Sequence, residues 1–301
     1  MSVSTEHVAL EHVVLAGVDG SPSSKVAVEW AARDAALRGV PLILAHVTPE
    51  PRATLGVEVV RSPEVWRALE ENARRDLAEG RVIAERATAD SGPIQIDVLE
   101  VADSVVPALV ALSKGADIVV VGCRGRGAIT RRLLGSVSWG LANHALCPVA
   151  IIHDEGRGLP DDVARLPVVV GIDGSPASEA ATAVAFDEAS RRGVGLIAIH
   201  AWNDNTNFDL LGQKWDELHG EALQVLEERL AGWQERYPEV SVRRVVVPDH
   251  PARHLVTHSD DAQLVVVGSR GRGGFAGMLL GSVSSAVAEA SRAPVIVARP
   301  S

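Results

Sequence analysis

"VGCRGRGAITRRLLGSVS" (residues 121–138) and "VGSRGRGGFAGMLLGSVS" (residues 267–284) stand 146 positions apart in a chain of 301 residues. Twelve of their 18 aligned positions are identical, and each copy runs from a strand-like "VG" to a glycine-serine pair. A chain of this length is at the size where one hydrophobic core tends to split, so the repeat predicts two domains of one design. The remaining sequence keeps the same order. "VVLAGVDGSPSSKVAVEWAARDAALRG" (13–39) matches "VVVGIDGSPASEAATAVAFDEASRRG" (168–193), with Asp19 opposite Asp173. "LILAHV" (42–47) matches "GLIAIHA" (195–201), which sets His46 against His200, and "CPVAII" (147–152) matches "APVIVA" (293–298). The offset falls from 154 to 146 between the second strand and the glycine loop, so the second copy is eight residues shorter there. Helix or loop length is the expected place for that difference.

Each half alternates short β-branched runs with alanine-rich amphipathic stretches, the pattern of strand followed by helix. Strands are expected near 13–18, 42–47, 94–100, 117–121 and 148–152, and again near 167–172, 195–201, 240–246, 263–267 and 294–298. Runs this apolar suit parallel strands covered on both faces. The expected fold is therefore α/β, with two tandem Rossmann-like domains, each a five-stranded parallel sheet flanked by helices. The first domain takes 1–156, a linker 157–166 and the second domain 167–301; the polar, proline-bounded "DEGRGLPDDVARLP" (154–167) carries the linker. Pro22 and Pro176 follow "DGS" at the first helix of each half, where a missing amide hydrogen is harmless. Trp30, Trp139 and Trp233 read as packing residues.

The formal net charge of −10 opposes a long nucleic-acid partner, which demands basic tracks, but leaves room for a small phosphate ligand at a basic loop. No stretch reaches the apolar length of a membrane span, and the opening "MSVSTEHVALEH" has no signal-like basic and apolar pair of regions. A cytoplasmic protein is expected, without integral membrane association. Cys123 and Cys147 have Ser269 and Ala293 opposite them, so no disulfide framework is shared by the halves and reduced thiols are expected.

The glycine loop carries the chemistry. It leaves the carboxyl end of a strand and leads into a helix, the place where open α/β sheets bind ligands. Gly122, Gly125 and Gly135-Ser136 recur as Gly268, Gly271 and Gly281-Ser282. Glycine permits close backbone approach and positive φ, and the first amides of the next helix are donors aimed at an anion. The hydroxyls of Ser136, Ser138, Ser282 and Ser284 add donors; Arg124, Arg126, Arg270 and Arg272 add positive charge. No lysine follows the last glycine, which excludes the P-loop pattern, and the early strand-turn segments lack the spaced glycines of a dinucleotide fingerprint. Asp19 and Asp173 end the first strand of each half. There a carboxylate can accept from a ribose or base, approach a Mg2+ ion, or cap the following helix.

These residues together resemble the ATP-binding class of the universal stress protein family, in its tandem two-domain form known from actinobacteria. The family pattern of Gly-x-x-Gly, nine residues, then Gly-Ser/Thr is met at 122–136 and 268–282. The resemblance implies one ATP per domain, with Mg2+. It sets Asp19 and Asp173 at the nucleoside, the backbone of Val47 and Ala201 at the adenine edge, and Gly122 and Gly268 at the ribose. It assigns the phosphates to Gly125, Gly135, Ser136, Val137 and Ser138, and to Gly271, Gly281, Ser282, Val283 and Ser284. It further implies a homodimer, an unidentified regulatory protein partner and a role in stress or dormancy.

Two other classes stay open. A slow ATPase would need a general base near the phosphates; no catalytic residue stands out, and at most weak hydrolysis is expected. A partner-binding scaffold without nucleotide would need the duplicated motifs to have lost their role. His250, His254 and His258 recur every four residues, but Pro251 and the counterparts Ser104, Ala108 and Leu112 favour a solvated or partly packed helix face over a zinc site.

Overall fold

The computed structural model describes residues 11–49, 63–125, 134–153, 163–202, 215–272 and 280–300. Two compact units, residues 1–154 and 155–301, make up the chain. In the first, β1 (Val13–Gly17), β2 (Leu42–Thr48), β3 (Ile96–Ala102), β4 (Ala116–Gly122) and β5 (Val149–Ile152) form a parallel sheet in the order β3-β2-β1-β4-β5. The helices α1 (Pro22–Arg38), α2 (Pro63–Ala87), α3 (Val105–Leu112) and α4 (Ser136–His144) alternate with them.

The second unit repeats the plan. Its strands are β6 (Val168–Ile172), β7 (Leu196–Ala201), β8 (Val242–Val247), β9 (Leu264–Gly268) and β10 (Val295–Ala298), in the order β8-β7-β6-β9-β10. Its helices are α5 (Pro176–Arg192), α6 (Trp215–Arg236), α7 (Pro251–His258) and α8 (Ser282–Ala290). Each unit is thus a Rossmann-like α/β layer structure.

All ten strands lie within two residues of the apolar runs that announce them. The largest shifts fall at β3 and β8, the outer strands, where half-exposed side chains weaken the apolar signal. The eight-residue difference sits largely where it was expected: α2 has 25 residues and α6 has 22, and 88–95 is replaced by the shorter 237–241.

Central strands are buried on both faces, as β-branched runs require. Small residues at Ala27, Ala31 and Ala35 of α1, and Ala181, Ala185 and Ala189 of α5, let the helices lie close on the sheet. Trp30 is buried, and Trp233 stacks on Phe186 with ring centroids 6.0 Å apart. Trp139 departs from its expected packing role: α4 buries Ser138, Leu141 and Ala142 and leaves this indole 43% exposed. Of the linker, 157–162 lie outside the described residues; Gln263 Nε2 donates to the carbonyls of Ala164 (3.1 Å) and Leu166 (2.6 Å), holding the following segment to the second unit. Among the described residues no helix is long and apolar enough to cross a membrane.

In both units the chain steps outward through three strands, then returns to the other side of the first, so the strand order reverses between β1 and β4 and between β6 and β9. That reversal opens a crevice above the sheet.

Candidate functional site

The crevice floor begins with the "DGS" turns. Gly20 and Gly174 take φ of +73° and +78°, which reverses the chain after the strand. Asp19 Oδ1 accepts from the Ser21 amide at 2.9 Å, and Asp173 Oδ1 accepts from the Ser175 amide at 2.9 Å. The helix caps are the serines: Ser21 Oγ accepts from the Ser24 amide and Ser175 Oγ from the Ser178 amide, each at 3.2 Å. Each aspartate therefore supports the capping residue instead of capping the helix itself.

Serines at these helix starts also clasp the glycine loop. Ser23 Oγ donates to the Arg124 carbonyl, and Ser175 Oγ donates to the Arg270 carbonyl at 3.1 Å. In the second unit Asp173 Oδ2 also accepts from the Arg272 amide at 3.1 Å. Sequence reasoning did not assign these serines a part in the site. The signal was present in the repeated "GSP" and the matched Ser24 and Ser178.

None of the six motif glycines takes positive φ, and Gly122, Gly125, Gly268 and Gly271 serve close approach. A Cβ on Gly122 would lie 2.7 Å from the Ser23 carbonyl carbon, and one on Gly268 would lie 2.6 Å from Ala177 backbone atoms. These two glycines let the strand end touch the start of α1 or α5. At Gly135 and Gly281 the nearest atoms would be 3.3 and 3.4 Å away, ordinary or slightly tight contact.

Gly135 and Gly281 are the N-caps of α4 and α8 and bring no side chain to the first-turn amides, which a helix by its geometry cannot bond internally. Ser136 and Ser282 are exposed at this point. Ser138 and Ser284 are buried, and their hydroxyls turn inward. Ser138 Oγ donates toward the carbonyls of Cys123 and Gly135, each at 3.0 Å, and Ser284 Oγ donates to the Gly268 carbonyl at 2.5 Å. These two hydroxyls hold the loop to the helix, so the donors they contribute to the crevice are their amides. Cys123 and Cys147 are both buried.

At the other end of the crevice, hydrogen-bond parity along β2 exposes a backbone edge. Pro41 and Ala45 give their carbonyls to Val14 (3.0 Å) and Val18 (2.8 Å) on the β1 side, and Thr48 gives its carbonyl to Asp103 (3.2 Å) on the β3 side. Residues two apart on a strand face the same neighbour. Val47 therefore turns its N–H and C=O toward β1, whose register has already ended with Gly17 opposite Ala45. Ala201 repeats the arrangement: Gly195 serves Val168 on the β6 side, Trp202 serves β8 through Val247, and β6 ends with Ile172 opposite His200. A donor and an acceptor thus face each crevice side by side.

Asp19, Val47, Gly122, Gly125, Gly135, Ser136, Val137 and Ser138 all line one cleft of about 660 Å3. Asp173, Ala201, Gly268, Gly271, Gly281, Ser282, Val283 and Ser284 all line a second, of about 540 Å3. Both volumes suit a small organic ligand. Arg124 lines the first, and Arg270 and Arg272 the second; Arg126 lies outside the described residues. His46 lines the first cleft, whereas His200 is buried with Nδ1 2.7 Å from the Ile172 carbonyl and does not line the second. Burial is the main cause holding the His200 pKa below its ordinary 6.5.

A magnesium-holding role finds little support in the donor set. Asp173 engages both carboxylate oxygens with amides, and among the described residues no three metal-ligating side chains come together. His250, His254 and His258 do not converge either: His250 precedes α7, and His258 Nδ1 lies 2.9 Å from the His254 carbonyl.

The fold and these paired crevices define a duplicated α/β protein with one ligand-type cleft per unit, each built from a strand-end carboxylate, a backbone edge and a glycine-capped helix. The model of the universal stress protein family matches residues 12–153 and again 165–299, and the chain belongs to that family. It is 52% identical over 288 residues to Universal stress protein Rv2623 of Mycobacterium tuberculosis, covering 96% of each chain. It is also 52% identical over 292 residues to Universal stress protein Rv2005c of the same organism, covering 97% of this chain and 98% of the other. A crystal structure of a universal stress protein from Archaeoglobus fulgidus shares the fold, with a TM-score of 0.69 at 24% identity and 96% of each chain covered.

Proposed function

We propose that each domain binds one ATP. The observation that carries this reading is the pairing, in one cleft and in both copies, of an open backbone donor-acceptor edge with a helix start ready for an anion. Adenine offers an amino donor beside ring-nitrogen acceptors, which complements the N–H and C=O of Val47 or Ala201. Guanine sets a carbonyl where adenine has its amino group, so the same edge disfavours GTP. At the far end the amides of Ser136, Val137 and Ser138, or Ser282, Val283 and Ser284, face the phosphates, with Arg124 or Arg270 beside them. The strand-end aspartates accept from the nucleoside hydroxyls. Mg2+ enters this reading as the phosphates' counterion; the donor set described above does not build a protein-held magnesium site, and no step is assigned to the ion.

The role proposed with ATP binding is regulatory: occupancy of the two clefts is coupled to growth or dormancy through a protein partner and a second copy of this chain. Family membership supports it. Calorimetry of the full chain with ATP, GTP and inorganic triphosphate tests the binding. Two ATP per chain, with GTP and triphosphate much weaker, is the expected result; absence of ATP binding at both clefts rejects the reading. Solution mass with and without ATP tests the second copy, and a monomer in both conditions rejects it.

A further inference from the structure

The two clefts differ at their phosphate ends. We propose that the second cleft takes an adenine nucleotide with a longer, more highly charged phosphate chain than the first prefers, and that His250 and Arg253 set this preference. The inference rests on the adenine-nucleotide reading of the clefts and adds a distinction between them.

The second cleft runs into an adjoining groove of about 470 Å3, lined by His250, Pro251, Ala252, Arg253, Ser282 and Val283. Four of these, His250, Pro251, Ser282 and Val283, line the cleft as well, so the two spaces adjoin where α8 begins. A ligand whose phosphates lie at Ser282 meets further room there, with a guanidinium and an imidazole on its wall. The first unit has the same element, since α3 and α7 each have eight residues, but the offset of 146 puts Ser104 opposite His250 and Pro107 opposite Arg253. The backbone differs too: His250 is left-handed at φ +47°, whereas Ser104 is extended at φ −66°. Acidic content does not cancel the difference, because Asp249, 3.5 Å from His250 Nε2, is matched by Asp103.

The ion pair between the two long helices is also arranged differently in the two units. Between α1 and α2, Lys25 pairs with Glu79 at 2.5 Å; between α5 and α6 the pair is reversed, with Glu179 and Arg229 3.0 Å apart. Arg229 lies directly over Gly174, next to Asp173. His250 and Arg253 therefore add positive charge beside the phosphate end of the second cleft, at positions where the first copy has serine and proline, and a phosphate that reaches them gains there.

The test titrates the full chain with adenosine 5′-di-, tri- and tetraphosphate. Trp202 lines the second cleft where the first has Thr48, so the fluorescence signal lost in W202F reports the second site, and calorimetry reports both. From di- to tetraphosphate, affinity at the Trp202 site is expected to rise about tenfold more than at the other, the scale of one charge-assisted contact. The H250S/R253A variant, with exposed positions changed to the first copy's serine and to a helix former, should remove that excess. Equal gains at both sites in the unaltered protein overturn the proposal whether or not the variant folds, as does an unchanged excess in the folded variant. Failure of all three nucleotides to bind instead rejects the underlying adenine-nucleotide reading.

Discussion

A Cβ atom on Gly125 would lie 2.8 Å from Oδ2 of Asp19, and one on Gly271 would lie 2.6 Å from Oδ2 of Asp173. The second motif glycine is thus paired with the strand-end aspartate across the crevice, and its absent side chain makes room for a carboxylate. Because Asp19 Oδ1 is held by the Ser21 amide, the carboxylate can yield only by disturbing the turn that starts α1.

G125A and G271A should therefore weaken ATP binding by displacing the aspartates, at modest loss of stability. A double-mutant cycle checks the route: the effect of G125A on ATP affinity should largely vanish in a D19A background. Additive losses would mean that the methyl group acts on the nucleotide directly.

The first and third glycines should separate by stability alone. G122A and G268A force a methyl group into helix backbone and should cost about 1–3 kcal/mol, the range for overpacking. G135A and G281A meet nothing closer than 3.3 Å and should stay nearer the parent. Urea midpoints of the four variants measure this, and equal losses at the two positions would contradict the packing described.

The paired serines should divide by function. S138A and S284A remove buried hydroxyls that hold loop carbonyls and should each cost about 1 kcal/mol of stability. S136A and S282A alter exposed side chains and should leave stability within about 0.5 kcal/mol while reducing ATP affinity. Thermal unfolding with parallel binding measurements decides, and the reverse pattern would overturn the assignment of inward and outward hydroxyls.

His200 should make the protein acid-sensitive. Burial, with Arg272 and Arg229 nearby, keeps its folded pKa below 6.5 despite the opposing hydrogen bond to Ile172. The unfolded chain then takes up the proton first, so this contribution to stability is complete above pH 6.5 and declines as pH falls below it toward the folded value. One such proton changes stability by at most about 1.4 kcal/mol per pH unit. His254, also lowered mainly by burial, acts in the same direction. Melting temperatures followed from about pH 7.5 to 5.5 should fall less steeply in H200N than in the parent; parallel curves would remove His200 as a source.

The sequence by itself determined the duplication, the order and places of the ten strands, and the proline-led starts of α1 and α5. Those features rest on local rules: β-branched runs make buried strands, and glycine-serine pairs after a strand open helices. Even the backbone edges at Val47 and Ala201 follow from the end of β2 and β7, once the neighbouring strand is known to be shorter. What the tertiary structure alone decided is which partner each polar group takes. The inward turn of Ser138 and Ser284, the clasp of Ser23 and Ser175 on Arg124 and Arg270, and the match of Gly125 to Asp19 depend on carbonyls, carboxylates and amides brought together from distant segments. The outward face of Trp139 and the groove beside His250 arise in the same way. A residue type states what hydrogen bond or surface is available, whereas the fold sets the few ångströms that determine whether a neighbour or a ligand takes it.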